Sequence, residues 1–390
     1  TMGAGIAQVA LEGGWAVVLT DAAPAALDRA RVRVAEGLAR RAEKRFADDG
    51  AARARWERDA LARLTTAPTA GAAAADAQLV IEAALEDLDL KRSIFRELDA
   101  AAEPDTILAT NTSALSVGKI AEAARRPERV VGLHFFNPAP ILPLVEVVAT
   151  ALTTEDVVAR AIAIVDGWDR TPIRCADSPG FIVNRVNRPF TLEPLRLLRA
   201  GVATIGTIDA AMTAAGFPMG PFRLMDLIGI DVNLAAARGL WEGFERPPRF
   251  RPSPIQEELV AAGRLGRKTS EGFYRYDEGG RVVGPATRFA GPLRSQPGVE
   301  PIDPDAIAER VVLAIVNEAY RAQGDRVATA DDIDRAMRLG ANHPFGPFAW
   351  ARDYGLAELA AALDALSGDD SDTFRPAIGL LREVRSLQSR

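Results

Sequence analysis

Over its first 175 or so residues the chain alternates short β-rich runs with longer helical stretches, and this leaves few folds open. Strands separated by helices pair in parallel, each helix crossing back over the sheet. The runs that read as strands are Ala16-Val17-Val18-Leu19-Thr20, Gln78-Leu79-Val80-Ile81-Glu82, Thr106-Ile107-Leu108-Ala109-Thr110, Val130-Val131-Gly132-Leu133-His134-Phe135 and Leu144-Val145-Glu146-Val147-Val148. The first is expected to be buried. The Ala/Arg/Glu segment from Pro24 to about Arg63 reads as a solvated pair of helices. Leu85 to Ala101 carries apolar residues at helical spacing. Asn137-Pro138-Ala139-Pro140 marks a turn between the last two strands.

The chain opens with Thr1-Met2-Gly3-Ala4-Gly5-Ile6-Ala7, the back half of a glycine-rich turn entering a helix, and no strand precedes it. A domain opening here lacks its first strand, so the chain reads as a fragment or as one with a misassigned start. Gly3 and Gly5 suit a turn where backbone approaches a pyrophosphate held at a helix amino terminus. The strand that follows ends in Asp21, whose carboxylate can accept hydrogen bonds from both adenosine ribose hydroxyls. It would repel a 2′-phosphate, which favours NAD over NADP. The same residues also occur as a plain structural turn. Together these features predict an α/β Rossmann-like, doubly wound domain over residues 1–176.

Around Asp177-Ser178-Pro179-Gly180 the texture turns mostly helical, and a duplication appears. Val202-Ala203-Thr204 with Ile208-Asp209-Ala210-Ala211-Met212 is echoed by Val327-Ala328-Thr329 with Ile333-Asp334-Arg335-Ala336-Met337. Pro218-Met219-Gly220-Pro221-Phe222 returns as Pro344-Phe345-Gly346-Pro347-Phe348, and Gly229 as Gly355. So many matches in register mark an internal repeat. The expected organisation is a helical substrate or dimerisation domain at 177–276, a Gly/Pro/Arg-rich linker at 277–303, and a second helical copy at 304–390.

A net charge of −6 gives no reason to expect nucleic acid or an anionic membrane as partner. No apolar run approaches the roughly 20 residues of a transmembrane helix. The one cysteine, Cys175, cannot form an intrachain disulfide, which fits a reducing cytoplasm.

Only two histidines are present, His134 and His343. A proton acceptor for a secondary alcohol at neutral pH is best served by histidine. His134 closes a strand at the edge where doubly wound sheets bind ligands. Glu146, on the neighbouring strand after the Pro-containing turn, could hydrogen-bond its second ring nitrogen. His343 falls in a turn of the second copy, with its counterpart at or near Phe217, and reads as structural.

Several motifs now stand in order: Thr1 to Ala7, Asn111-Thr112-Ser113, Gly132 to Pro138, Leu144 to Val148, Asp177-Ser178-Pro179-Gly180-Phe181-Ile182-Val183-Asn184-Arg185, and Lys268-Thr269-Ser270-Glu271-Gly272-Phe273-Tyr274. In this order and spacing the chain resembles the 3-hydroxyacyl-CoA dehydrogenases from its first residue to about Tyr276. The resemblance implies NAD as cofactor and an acyl-coenzyme A substrate, short-chain or dicarboxylic. It makes His134 the general base and Glu146 its partner, with Ser113 on the substrate's 3-oxygen and Asn184 positioning substrate or imidazole. Glu86 and Lys91 match places on the nicotinamide ribose side, and Asn111 and Asn137 places lining the nicotinamide and substrate pocket. Lys44 falls where the family uses a cation for coenzyme A phosphates, and Lys268 near the nucleotide; either could equally be a solvated surface charge. Most of the family has one helical domain and forms dimers through it, so the second copy here points to a homodimer or to a pseudo-dimer within one chain. The alternatives are a dehydrogenase of a free hydroxy acid such as a sugar acid, a non-catalytic scaffold, and part of a multifunctional β-oxidation enzyme.

Overall fold

Helix α1 (Met2–Glu12) is followed by β1 (Val17–Leu19), α2 (Pro24–Arg45), α3 (Gly50–Leu61), β2 (Leu64–Thr66), α4 (Ala70–Ala74) and β3 (Leu79–Glu82). Then come α5 (Leu88–Ala101), β4 (Ile107–Thr110), α6 (Val117–Ala121), β5 (Val130–Phe135), β6 (Leu144–Ala149), α7 (Glu155–Gly167) and β7 (Thr171–Ala176). This computed structural model describes residues 2–291, 302–368 and 371–389. Thr1 of the opening motif and residues 292–301 of the expected linker lie outside the described residues. The chain divides into two compact units, Thr1–Ser178 and Pro179–Arg390.

In the first unit β1 pairs in parallel with β2, while β3-β4-β5-β6-β7 form a five-stranded sheet. The strands expected from the alternation are present, and β2 and β7 are added to them. Two expectations need correction. The sheet is parallel except at one place, where β6 runs antiparallel to β5 because the Asn137–Pro143 connection is too short for a crossover helix. Nor is β1 buried: Val18 is 46% exposed. Each central strand is apolar on both faces because helices cover both. Ile6 and Val9 of α1 pack with Val131, Leu133, Val145 and Val147 of the sheet and Val158 and Val165 of α7. The other side of α1 buries Ala7 and Leu11 against Val34 and Leu38 of α2.

The second unit contains α8 (Val183–Val186), α9 (Pro189–Ala200), α10 (Ile205–Ala214), α11 (Pro221–Ile228), α12 (Ile230–Gly243) and α13 (Pro254–Ala261). A hairpin of β8 (Tyr274–Tyr276) and β9 (Val282–Pro285) follows. Then come α14 (Pro304–Gly324), α15 (Ala330–Gly340), α16 (Pro347–Tyr354), α17 (Leu356–Leu366), α18 (Ser371–Phe374) and α19 (Ile378–Gln388). Residues 277–291 of the stretch read as linker form structure: β9 pairs with β8, and Phe289 is buried in the core of the first copy beside Phe273.

The repeat has a physical cause that the structure makes visible. Asp209 of α10 accepts hydrogen bonds from Phe222 N–H (2.9 Å) and Arg223 N–H (3.2 Å) at the start of α11. Asp334 of α15 does the same for Phe348 (2.7 Å) and Ala349 (2.9 Å) at the start of α16. Each carboxylate satisfies helix-terminal donors that would otherwise be orphaned. The helix starts approach so closely that a Cβ on Gly220 or Gly346 would fall within 2.4 Å or 2.3 Å of that aspartate.

The copies meet within this unit. His343 donates from Nε2 to Asn187 Oδ1 (2.8 Å), and its ring lies 4.9 Å from that of Phe217, its counterpart in the first copy. Burial pushes the His343 imidazole down to about 3 from its ordinary 6.5. A histidine buried neutral gives stability that is fully present above pH 6.5 and is lost as pH falls towards 3. The stability difference between wild type and His343→Phe should therefore shrink by about 1.4 kcal/mol per pH unit below about pH 6. Urea unfolding between pH 7 and 4.5 reads this directly, and parallel pH profiles for the two proteins would refute it.

Candidate active site

The reversal between β5 and β6 sets two side chains opposite each other. In the antiparallel register His134 faces Glu146. Both are buried, and His134 Nδ1 lies 2.6 Å from Glu146 Oε2. An ionised carboxylate only accepts, so Nδ1 carries the proton and, in the neutral ring, Nε2 carries the lone pair. The Phe136 ring, 4.5 Å from the imidazole, packs on it. Gly132 sets the depth of β5: a Cβ there would lie 2.7 Å from Val148 Cβ and 2.9 Å from Val117 Cγ2. At the end of β4, Asn111 Oδ1 accepts from Phe135 N–H (2.8 Å), tying the two strand ends together.

A second cluster is built on Glu86. Its Oε1 accepts from Thr112 Oγ1 (2.7 Å), Ser113 N–H (2.9 Å) and Ala114 N–H (3.0 Å), with Ser113 Oγ at 3.3 Å. Burial pushes this carboxyl up, but those donors and Lys91 outweigh it and hold it below the usual range. Lys91, 1% exposed, donates to both Glu82 oxygens (2.7 and 3.0 Å) and lies 3.5 Å from Glu86 Oε2. Its ammonium is thus committed inside the protein, and any influence on a ligand passes through Glu86. Glu82, which also accepts from Thr110 Oγ1 (2.7 Å), and Thr112 have no site role in the sequence reading, where they stand only as a strand end and a motif member. A carboxylate ending an apolar strand was the available signal.

The remaining positions are more dispersed. Gly3 sits in the first turn of α1, where a Cβ would meet nothing nearer than Ala83 Cβ at 3.9 Å. Asp21 is exposed just past β1 and accepts from Ala23 N–H (2.9 Å). Asn137 is exposed in the β5–β6 connection. Lys44 is exposed in the last turn of α2 and makes no ion pair among the described residues. Asn184, half-buried on α8, and Lys268 belong to the second unit. Lys268 Nζ lies 2.6 and 2.7 Å from the two Asp231 oxygens, an ion pair that accounts for it locally. The structure thus gathers His134, Glu146 and Asn111 at one sheet edge, and Ser113 and Glu86 in the loops after β4 and β3, with Lys91 on α5 beside them. A cavity of about 640 Å³ lined by Trp15, Gln78, Thr106 and Arg160 opens at the other end of these strands and has no part in this chemistry.

A histidine backed by a buried carboxylate, at the carboxyl edge of a dinucleotide-binding sheet, defines the class of dehydrogenases that take up a proton as a hydride leaves. The comparisons narrow this. Residues 1–178 match the model of the 3-hydroxyacyl-CoA dehydrogenase NAD-binding domain, and residues 180–276 and 307–385 that of the family's C-terminal domain. The chain is 37% identical to the 3-hydroxyadipyl-CoA dehydrogenase of Escherichia coli K12, with all of this chain and 96% of the relative covered. It is 41% identical over 276 residues to the mitochondrial hydroxyacyl-coenzyme A dehydrogenase of Rattus norvegicus, covering 70% of this chain and 88% of that one. The crystal structure of 3-hydroxybutyryl-CoA dehydrogenase from E. coli K12 matches with a TM-score of 0.85 at 35% identity, covering all of this chain and 97% of the other. The chain belongs to the 3-hydroxyacyl-CoA dehydrogenase family, and NAD is its cofactor. The residues present fit that group: the first turn of α1 carries Gly3, whose missing side chain leaves only Ala83 within 4 Å, and Asp21 stands exposed after β1.

Removing Lys91 leaves the Glu82 carboxylate buried without its cation. Lys91→Met is expected to cost about 3–5 kcal/mol of stability. Denaturant midpoints measure it, and a loss under 1 kcal/mol would show that the pair is not buried in this way.

Proposed function

We propose that the chain oxidises the 3-hydroxyl of a 3-hydroxyacyl-CoA thioester to the 3-ketone, with NAD taking the hydride. The observation that carries this reading is the buried His134–Glu146 pair in cross-strand register. His134 Nε2 takes the hydroxyl proton as the C3 hydride departs, and Glu146 stabilises the imidazolium that results. A base of this kind typically contributes about 10² to 10⁴ in rate. Ser113 hydrogen-bonds the 3-oxygen, and Asn184 positions the substrate or imidazole. Asn111 and Asn137 line the pocket. Glu86, held ionised and set by Lys91, meets the nicotinamide ribose side. Gly3 and Asp21 take the pyrophosphate and adenosine ribose, Lys44 the coenzyme A phosphates, and Lys268 the nucleotide side once released from Asp231. In reverse, the same groups reduce a 3-ketoacyl thioester.

The two helical copies act as a pseudo-dimer within one chain, supported by the buried Arg185 of the first copy. It donates to Glu318 (2.7 Å) and Asp325 (2.7 Å) of the second. No helix among the described residues is long and apolar enough to cross a membrane, and the cytoplasm is the proposed location.

His134→Gln should lower turnover of 3-hydroxybutyryl-CoA at least about 10³-fold while leaving NAD affinity within a few-fold of wild type. NADH absorbance and fluorescence titration check the two halves. Equal loss of NAD affinity, or retained turnover, would remove His134 from the role of base.

A further inference from the structure

Thr112, in the loop after β4, is fully buried, and its hydroxyl is used in both directions. The oxygen accepts from Leu115 N–H (2.9 Å) and Ala114 N–H (3.4 Å), which closes the turn. The proton goes to Glu86 Oε1 (2.7 Å), in the loop after β3. The turn needs only the oxygen, so the donated bond serves Glu86.

The two Glu86 oxygens differ. Oε1 takes the Thr112 hydroxyl and the N–H groups of Ser113 and Ala114, and lies 3.3 Å from Ser113 Oγ. Oε2 has the Lys91 ammonium at 3.5 Å and, among the described residues, no hydrogen bond. The side chain is 38% exposed, so Oε2 keeps acceptor capacity that a ligand can reach. The last torsion of a glutamate is broad, and a carboxylate left to itself turns about it. A short bond from a buried hydroxyl, itself fixed by its own turn, removes that freedom. Burial pushes the Glu86 carboxyl up, and the Thr112 hydroxyl is the largest influence bringing it below its usual range. The charged group acting on it is Lys91, from α5, whose ammonium also holds Glu82, from β3. Both loops leave the carboxyl ends of paired parallel strands, where doubly wound sheets hold ligands.

We propose that Thr112 is a positioning residue of the cofactor site: it fastens Glu86 Oε1 so that Oε2 accepts from a ribose hydroxyl on the nicotinamide side of NAD. This rests on the reading above that sets Glu86 beside that ribose. Thr112, with no surface exposed, reaches the cofactor only through Glu86. All the residues involved lie in the first unit.

The test is a set of fluorescence titrations of the full chain with NAD and with ADP, which has the adenosine and pyrophosphate but no nicotinamide ribose. Thr112→Val should weaken NAD about 10-fold and leave ADP affinity as it is in wild type. Thr112→Ser, which keeps the donor, should bind NAD as wild type does. With Glu86 changed to Ala, Thr112→Val should cost no further NAD affinity, since the oxygen it positions is gone. If Thr112→Val does not fold, Thr112→Cys, a weak donor, is held to the same outcomes beside Thr112→Ser. Unchanged NAD affinity in the Val variant overturns the assignment. So does equal loss of NAD and ADP, which marks a structural role, and so does additivity with Glu86→Ala. Wild-type NAD affinity in Glu86→Ala alone removes Glu86 from the ribose, and this assignment with it. The oxidation itself is tested apart from these titrations, by NADH formed from 3-hydroxybutyryl-CoA in wild type.

Discussion

The site depends on the one place where the five-stranded sheet reverses direction. Had β6 run parallel to β5, a crossover helix would separate them and their side chains would meet in a slanted register. The tight connection instead places residues directly opposite, and His134 and Glu146 meet at hydrogen-bonding distance. Both are buried, so the carboxylate acts on the ring with little screening from water. The bond fixes which ring nitrogen carries the proton. Gly132, which lets β5 lie against Val148 and Val117, holds this arrangement at its depth in the sheet.

Charges elsewhere in the first unit are arranged to keep loops in place. Lys91 draws Glu82 from the end of β3 and leans on Glu86, whose carboxylate gathers the backbone after β4. A buried ion pair is weak evidence for net stability, but with both partners multiply hydrogen-bonded it specifies one conformation. Ser113 thereby acquires a fixed position from Glu86, which Lys91 in turn holds.

The second unit holds two copies of one helical arrangement. The same Asp-to-helix-start contact recurs at Asp209 and Asp334, and the copies are joined by polar groups at Arg185, Glu318, Asn187 and His343, all but Asn187 buried. An interface written into one chain does not depend on protein concentration, unlike that of a dimer. It also anchors the short helix that carries Asn184, through the residues immediately after it.

The sequence by itself determined the strand runs, the helical repeat and the small set of residues with usable chemistry, because these are written in local periodicity and in rare residue types. With two histidines in the chain, and one on a strand followed by a prolyl turn and a glutamate, little choice was left for a candidate base. The repeat was legible because each copy must keep an aspartate, a glycine and a proline to start the same helix. Tertiary structure alone decided the rest. That Lys91 is internal, that β1 is half open, and that residues 277–291 enter a core are all facts about neighbours distant in sequence. A charged side chain reads the same in a sequence whether it is solvated, paired or waiting for a ligand. Only the packing around it sets the dielectric and the partners that distinguish the three.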